Sequence, residues 1–415
     1  MLFSISTPGG LENSQIAVFN PKTGERRVLL GGGTAAQYGG GYLVYGADST
    51  LRAVRFDVDR LAVLSDPVPV VEQVMTANSG AMNFAMSTTG SLVYLPTSAA
   101  MPATPRSLVW VTRQGREQPI DLPPRAYADP RISPDGTRVA VGIRDQQSDM
   151  WIGDFTRKTL TRLTFGPASD QAPVWMPDGK RLVWASQTGT SIPNIFMQNA
   201  DGAGPMQQLT SSALPLFSTS VTSDGRRLIL WENNPKTTQD IVTLDVSESS
   251  AAGTRRVEPL IHTSAAEVDG EISPDGRWLA YQSNESGQPE VFVRPFPGVD
   301  AARWQVSSGG TRPAWARNGQ ELFYLDGQGL LTSVPLRIAG SSFSAGNPVR
   351  LLTTKYYPGF TGLGIDLRGY DVSQDGQRFL MIKDAPVEQS PSSPPASIVL
   401  VLNWFEELKA RLPVK

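Results

Sequence analysis

A short string recurs along this chain. Residues 132–141 read ISPDGTRVAV and residues 272–281 read ISPDGRWLAY. Looser copies surround them: MPDGKRLVWA (176–185), TSDGRRLILW (222–231), ARNGQELFYL (316–325) and SQDGQRFLMI (373–382). Weaker ones stand at STTGSLVYL (87–95) and YGGGYLVYG (38–46). The aligned turn glycines are Gly41, Gly90, Gly136, Gly179, Gly225, Gly276, Gly319 and Gly376, spaced 43 to 57 residues apart. That period constrains the fold more than any other property, because each repeat must be one supersecondary unit that buries its faces against neighbours.

Every repeat has the same internal order. A short first strand such as APVW (172–175) runs into Asp-Gly or Asn-Gly, which supplies the positive φ of a tight hairpin. An alternating apolar strand follows, as in RLVWAS (181–186). A third strand comes next: DMWIGDF (149–155), NIFMQN (194–199), DIVTLDV (240–246) or EVFVRPF (290–296). A fourth closes the unit, as in TLTRLT (159–164), MQQLT (206–210) or RWQVS (303–307). Period-2 alternation rich in β-branched and aromatic residues reads as strand. Helical character is confined to NWFEELKARL (403–412).

Four antiparallel strands per repeat predict an all-β fold: one β-propeller spanning 1–415, with a short C-terminal helix. Eight hairpins predict eight blades; seven follow if the irregular first copy is not a full blade. Residues 1–30 carry LFSIS, QIAVFN and ERRVLL without a preceding first strand. They are expected either to close the ring by pairing with the last blade, which removes exposed sheet edges, or to begin partway through a blade of a longer parent. A Pro/Ser-rich insertion (APVEQSPSSPPAS, 385–397) interrupts the last repeat before IVLVLNW (398–404).

Composition removes several function classes. The 415 residues contain no cysteine and one histidine, His262, so disulfides, thiolate metal sites, cysteine nucleophiles and His-rich zinc sites are all excluded. Net charge is −2 and no Lys/Arg run marks a nucleic-acid or membrane footprint. No stretch approaches 18 uninterrupted apolar residues, so no membrane insertion by this chain is expected. The N-terminus lacks the basic and apolar regions of a secretory signal. There is no Gly-x-Ser-x-Gly elbow. The glycine-rich GGGTAAQYGGG (31–41) and GFTGLG (359–364) precede no helix and read as turns, not phosphate cradles.

The SPDG…LAY repeats with Leu-Thr closing strands resemble TolB-like propellers, bacterial Trp-Asp-repeat relatives with a PD-type repeat. SDPVPVVEQV (65–74), YADPRISPDGTRVAV (127–141), ESGQPEVFVRPFPG (285–298), GGTRPAWARNGQELFYL (309–325), GYDVSQDGQRFLMI (369–382) and VLNW (401–404) are similar to the extracytoplasmic propeller of bacterial membrane-anchored serine/threonine protein kinases. The resemblance implies ligand or protein sensing, and an extracytoplasmic location if the chain belongs to an anchored parent; otherwise a cytoplasmic one is expected. The kinase module itself is missing: there is no Val-Ala-Ile-Lys, His-Arg-Asp or Asp-Phe-Gly.

The repeated Asp135, Asp178, Asp224, Asp275 and Asp375 invite a metal reading, but turn geometry is a sufficient reason for an Asp before the glycine. The better candidates lie seven residues before each turn glycine, where propeller strands begin at the channel: Thr34, Asn83, Asp129, Ala172, Ser218, Asp269, Arg312 and Gly369. Adjacent positions add Gln171, Thr311 and Arg368, then Asp170 and Glu267. Two readings stand. In one, Asn83, Asp129, Gln171, Ser218, Asp269, Arg312 and Arg368 form a polar funnel that binds a protein, peptidoglycan-like or small-molecule partner. Arg312 and Arg368 then pair with Asp129 and Asp269, and no cofactor is required. In the other, Asn83, Asp129, Asp269 and Glu267 hold Ca²⁺ or another divalent ion. Asp129, Asp269 and Arg312 would then serve metal-assisted ester, lactone or phosphotriester hydrolysis. Trp175 and Trp315, at equivalent positions, are expected between blades, and the protein is expected to be a monomer without a nucleic-acid partner.

Overall fold

The computed structural model describes residues 1–5, 14–47, 50–75, 82–96, 105–145, 148–166, 168–188, 192–247, 255–340, 342–359, 361–362, 365–385 and 398–412. Most of the Pro/Ser-rich insertion, 386–397, lies outside the described residues. The chain divides into two compact units, Met1–Pro102 with Glu388–Lys415, and Ala103–Val387.

The first unit holds three antiparallel sheets. Leu2–Ile5, Gln15–Phe19 and Arg26–Gly31 form one; Thr34–Gly39, Tyr42–Ala47, Thr50–Asp57 and two short strands form the second; Phe84–Met86, Leu92–Tyr94 and Val399–Val401 form the third. The helix Trp404–Arg411 carries Glu406 and Glu407 in its first turn and Lys409 and Arg411 in its last, the charge order its dipole favours. It buries Trp404 and Leu408 in a cluster with Tyr42, Val44, Leu51 and Ala53. The glycine run before Tyr42 has a packing reason. A Cβ on Gly40, whose φ is +59°, would sit 2.8 Å from the Phe405 ring.

The second unit is a closed propeller. Its blades I to IV are four-stranded sheets that follow the chain. They start with Tyr127–Ile132, Ala168–Trp175, Leu216–Val221 and Glu267–Ile272 and end with Thr159–Arg162, Gln207–Gln208, Val257–Ile261 and Trp304–Gln305. Blade V starts with Gly310–Trp315 and adds Ser342–Ala345 and Val349–Arg350 outside its third strand. Blade VI combines distant segments in the order Tyr370–Val372, Arg378–Asp384, Arg106–Thr112, Glu117–Pro119. Arg106–Thr112 pairs with Arg378–Asp384 along its whole length, from Arg106 opposite Asp384 to Thr112 opposite Arg378. First strands of successive blades are neighbours, and blade VI stands beside blade I.

The expected count of eight blades, or seven, is thus replaced by a ring of six. The hairpins at Gly41 and Gly90 belong to the first unit. The expected closing strands at 1–30 form their own three-stranded sheet instead, and Arg106–Thr112 closes the ring. Closure is favoured because an open blade VI would leave a two-stranded sheet with Phe379, Leu380 and Ile382, all fully buried here, exposed on its faces.

The recurring string owes its residues to its turn. Asp135 Oδ1 accepts the Thr137 N–H at 3.0 Å and the Ser133 hydroxyl at 2.5 Å, while Ser133 Oγ accepts the Arg138 N–H at 2.9 Å. Asp224 with Thr222, Asp275 with Ser273, and Asp375 with Ser373 repeat the arrangement, with hydroxyl contacts of 2.6 Å in each. The closing Leu-Thr has a similar role: Thr164 and Thr210 accept the Met150 and Ile195 N–H groups, each at 3.0 Å, tying fourth strand to third.

Candidate functional site: the central channel of the second unit

The first strand of each blade lines the channel, and in most blades it is bulged. Register slips between Ala128 and Arg131, Gln171 and Val174, Val268 and Glu271, and Thr311 and Ala314. At each slip one non-glycine residue is left-handed: Asp129 at φ 52°, Ala172 at 58°, Asp269 at 53° and Arg312 at 56°. Each such residue costs about 1–2 kcal/mol. Four of the positions counted back from the turn glycines are these bulge residues. The bulge turns ladder groups toward the neighbouring blade, where they find new partners. Ala172 O accepts the Ser218 hydroxyl at 2.6 Å, and Arg312 O accepts the Tyr370 hydroxyl at 2.8 Å. Trp175 and Trp315, both buried, donate Nε1 to Arg131 O and Glu271 O of the preceding blade at 2.9 Å, so they pack between blades as expected.

Around this wall the candidate residues separate into groups. Asp129 is fully buried; its Oδ2 lies 3.0 Å from Arg144 Nη2, and its Oδ1 has no hydrogen-bond partner. Arg312 is buried, with Nε donating to Leu367 O at 3.1 Å. Arg368 is buried and central. It lies 3.2 Å from Glu271 Oε2 and 3.3 Å from Asp371 Oδ1, and it donates to Tyr370 O and Pro313 O at 3.1 and 2.8 Å. Burial alone would lower its pKa, but the Glu271 and Asp371 carboxylates hold it above the usual arginine value. The expected pairing of Arg368 with Asp129 or Asp269 gives way to these two closer carboxylates.

Two further members of the proposed metal set, Asn83 and Glu267, have partners of their own. Asn83 is an exposed residue of the first unit whose amide donates to Met75 O at 3.4 Å. Glu267 accepts the Thr263 backbone N–H at 3.2 Å and the Thr263 hydroxyl within its own turn, and burial raises its pKa. Asp170, likewise raised by burial, hydrogen-bonds Ser186 and Thr164. Among the described residues no three His, Asp or Glu side chains are grouped as a cation site requires.

A cavity of about 270 Å³ opens at the turn end of the channel and takes lining residues from all six blades. Its charged members are Arg131, Glu271, Arg317, Arg368 and Asp371; Trp175 and Trp315 contribute apolar wall. Arg131, Glu271 and Asp371 escape a count of seven because each stands five residues before its turn glycine. Two larger clefts, about 1050 and 1130 Å³, lie among outer turns. Of their carboxylates, Asp178, Asp224, Asp275 and Asp245 accept turn N–H groups and Glu321 pairs with Arg113, which leaves the channel mouth as the better-equipped site.

Comparison with known proteins agrees with this architecture. Residues 107–255, from the closing strand into blade III, match the family model of the TolB β-propeller domain. The chain is 26% identical to the Tol-Pal system protein TolB of Wolinella succinogenes over 37% of this chain and 34% of that protein. It is 23% identical to the uncharacterized peptidase YuxL of Bacillus subtilis over 38% of this chain and 30% of that protein. The matches thus span about a third of these curated relatives' own lengths. A solved structure described as TolB from Agrobacterium tumefaciens is similar in fold, with TM-score 0.50 and 15% identity over 68% of this chain and 99% of its own. The chain carries a TolB-like propeller; the resemblance to kinase-linked propellers rests on the quoted segments alone.

Proposed function

We propose that this chain is a binding module that receives a protein or small-molecule partner at the channel mouth of the Ala103–Val387 propeller. One observation carries the reading: all six blades deliver residues to a single cavity that mixes charged groups with two tryptophans, the composition of a recognition site. Fold alone establishes no activity, so the argument rests on the mouth. Likeness to a Tol-Pal system protein supports a protein partner. No helix among the described residues is long and apolar enough to cross a membrane.

The experiment is quantitative capture from host extract with immobilised wild type and with Arg317→Glu, a substitution at a side chain 39% exposed that leaves packing intact. A partner held by wild type and lost by the variant, at equal melting temperature, supports the reading. Identical capture by both contradicts it.

A further inference from the structure

The mouth is short of negative charge. Three guanidinium groups, Arg131, Arg317 and Arg368, line it with two carboxylates, Glu271 and Asp371. Both carboxylates are taken by Arg368, at 3.2 and 3.3 Å. Asp371 is further occupied by the Ile132 and Val372 N–H groups, at 2.7 and 3.0 Å. Arg131 donates Nη1 to backbone oxygens, Pro130 O at 2.8 Å and Arg368 O at 3.1 Å, while its buried Nε has no hydrogen-bond partner. Arg317 reaches Asp371 only at 3.9 Å, beyond hydrogen-bond length. Arg131 is half-buried overall, and a buried guanidinium nitrogen without an acceptor is costly. Burial, and then the Arg368 charge, hold Arg131 below its usual value.

The rest of the wall sets the shape of what could supply that anion. Trp175, Trp315, Ile132, Val174 and the prolines of the turns give apolar surface. A volume of about 270 Å³ accommodates roughly nine water molecules, which suits a small group rather than a folded surface. The cavity carries one positive charge in excess, and a dianion such as a phosphate monoester would meet Glu271 and Asp371 on the same wall.

We propose that the channel mouth binds a carboxylate attached to an apolar group, its oxygens held by the guanidinium groups of Arg131 and Arg317 and its apolar part against Trp175 and Trp315. The proposal rests on the mouth being the binding site. Arginine forks match carboxylate geometry, and such charge-assisted bonds are stronger than neutral ones. A free small carboxylic acid and the C-terminal carboxylate of a polypeptide share this chemistry.

The test uses the full chain and titrates benzoate, benzamide and phenyl phosphate by calorimetry and tryptophan fluorescence, since two tryptophans wall the site. Saturable benzoate binding, with benzamide and phenyl phosphate each about tenfold weaker or more, is expected, one such factor being about 1.4 kcal/mol. Arg317→Gln should weaken benzoate about tenfold without moving the melting temperature. Arg131→Lys, which keeps charge but loses the fork, should weaken it as well. A short peptide ending in leucine, free or amidated, distinguishes the sources: tight binding of the free form alone identifies a polypeptide terminus, and benzoate binding without it a small acid. Equal binding of benzoate and benzamide, no saturation at millimolar concentrations, or indifference to Arg317→Gln overturns the proposal. If carboxylates fail while partner capture still depends on Arg317, the carboxylate chemistry falls and the mouth remains the binding site.

Discussion

Asp371 joins the two ends of the ring, and its removal should be the most informative single substitution. Its Oδ2 accepts the Ile132 N–H of blade I at 2.7 Å, across the seam between blade VI and blade I. Its Oδ1 accepts Arg368 Nη2 at 3.3 Å and the Val372 N–H at 3.0 Å, and the side chain is only 5% exposed. Asp371→Ala leaves the Ile132 amide buried without an acceptor, which costs about 1–3 kcal/mol. It also strips one of two carboxylates from a buried arginine; breaking a buried pair costs about 3–5 kcal/mol, reduced here because Glu271 remains 3.2 Å from Arg368. Together these give a loss of about 3–5 kcal/mol, a melting shift on the order of 10 °C for a domain of this size. Asp371→Asn keeps the shape and one acceptor, and should lose roughly half as much. Urea unfolding followed by tryptophan fluorescence gives the energies, and hydrogen exchange at Ile132 locates them. A loss below about 1 kcal/mol for Asp371→Ala, or unchanged exchange at Ile132, would refute the reasoning.

Further outcomes follow from the turns and the channel. Hydroxyl hydrogen bonds from Ser133, Thr222 and Ser373 hold Asp135, Asp224 and Asp375 below the ordinary carboxyl range. At Asp178 and Asp275 burial opposes the shift, but turn hydrogen bonds outweigh it. A folded pKa below the unfolded one gives stability that is present above about pH 4 and is lost as pH falls through the folded values. Urea midpoints should therefore drop on acidification below about pH 4, and an Asp224→Asn/Asp375→Asn double variant should drop less steeply. Gly179 has φ +65° and a new Cβ would meet only Pro134 Cδ, in ordinary contact at 3.8 Å, so Gly179→Ala should cost about 1 kcal/mol through backbone strain; a neutral result would deny the turn conformation. Asn83 donates to Met75 O and Glu267 is held by Thr263, so added Ca²⁺ or EDTA should leave the melting temperature unchanged. Purified protein should then show no metal-dependent turnover of activated esters, lactones or phosphotriesters, and chelation-sensitive turnover would reverse that.

The repeat made blades I to V legible in the sequence, because their chemistry is local. NIFMQN is the strand Asn194–Asn199, EVFVRPF overlaps Glu290–Pro295, and the terminal helix lies at Trp404–Arg411 within the expected 403–412. Ring closure was not legible. RSLVWVT at 106–112 has no Asp-Gly turn to announce it, and its partner Arg378–Asp384 lies far along the chain. Pattern reports which face a strand buries, not which distant strand it joins. The site was half legible. Counting seven residues back located Asp129, Asp269 and Arg312 at the bulge, and the neighbouring position gave Arg368. In blades I and IV the left-handed residue then interrupts the alternation, so Arg131 and Glu271 fell outside a count that assumed a regular strand.

The site exists only if Arg106–Thr112 closes a six-bladed ring, and the absence of cysteine makes that directly measurable. Ser107 faces Lys383 and Thr112 faces Arg378. These pairs are five residues apart, so one is a non-hydrogen-bonded pair with Cα atoms about 4.5 Å apart, within disulfide reach. The Ser107→Cys/Lys383→Cys and Thr112→Cys/Arg378→Cys variants should be oxidised and run on non-reducing gels. At least one should form a quantitative intramolecular disulfide, visible as a faster-migrating band that reverts on reduction. Free thiols in both folded variants would contradict the closure and the channel built on it.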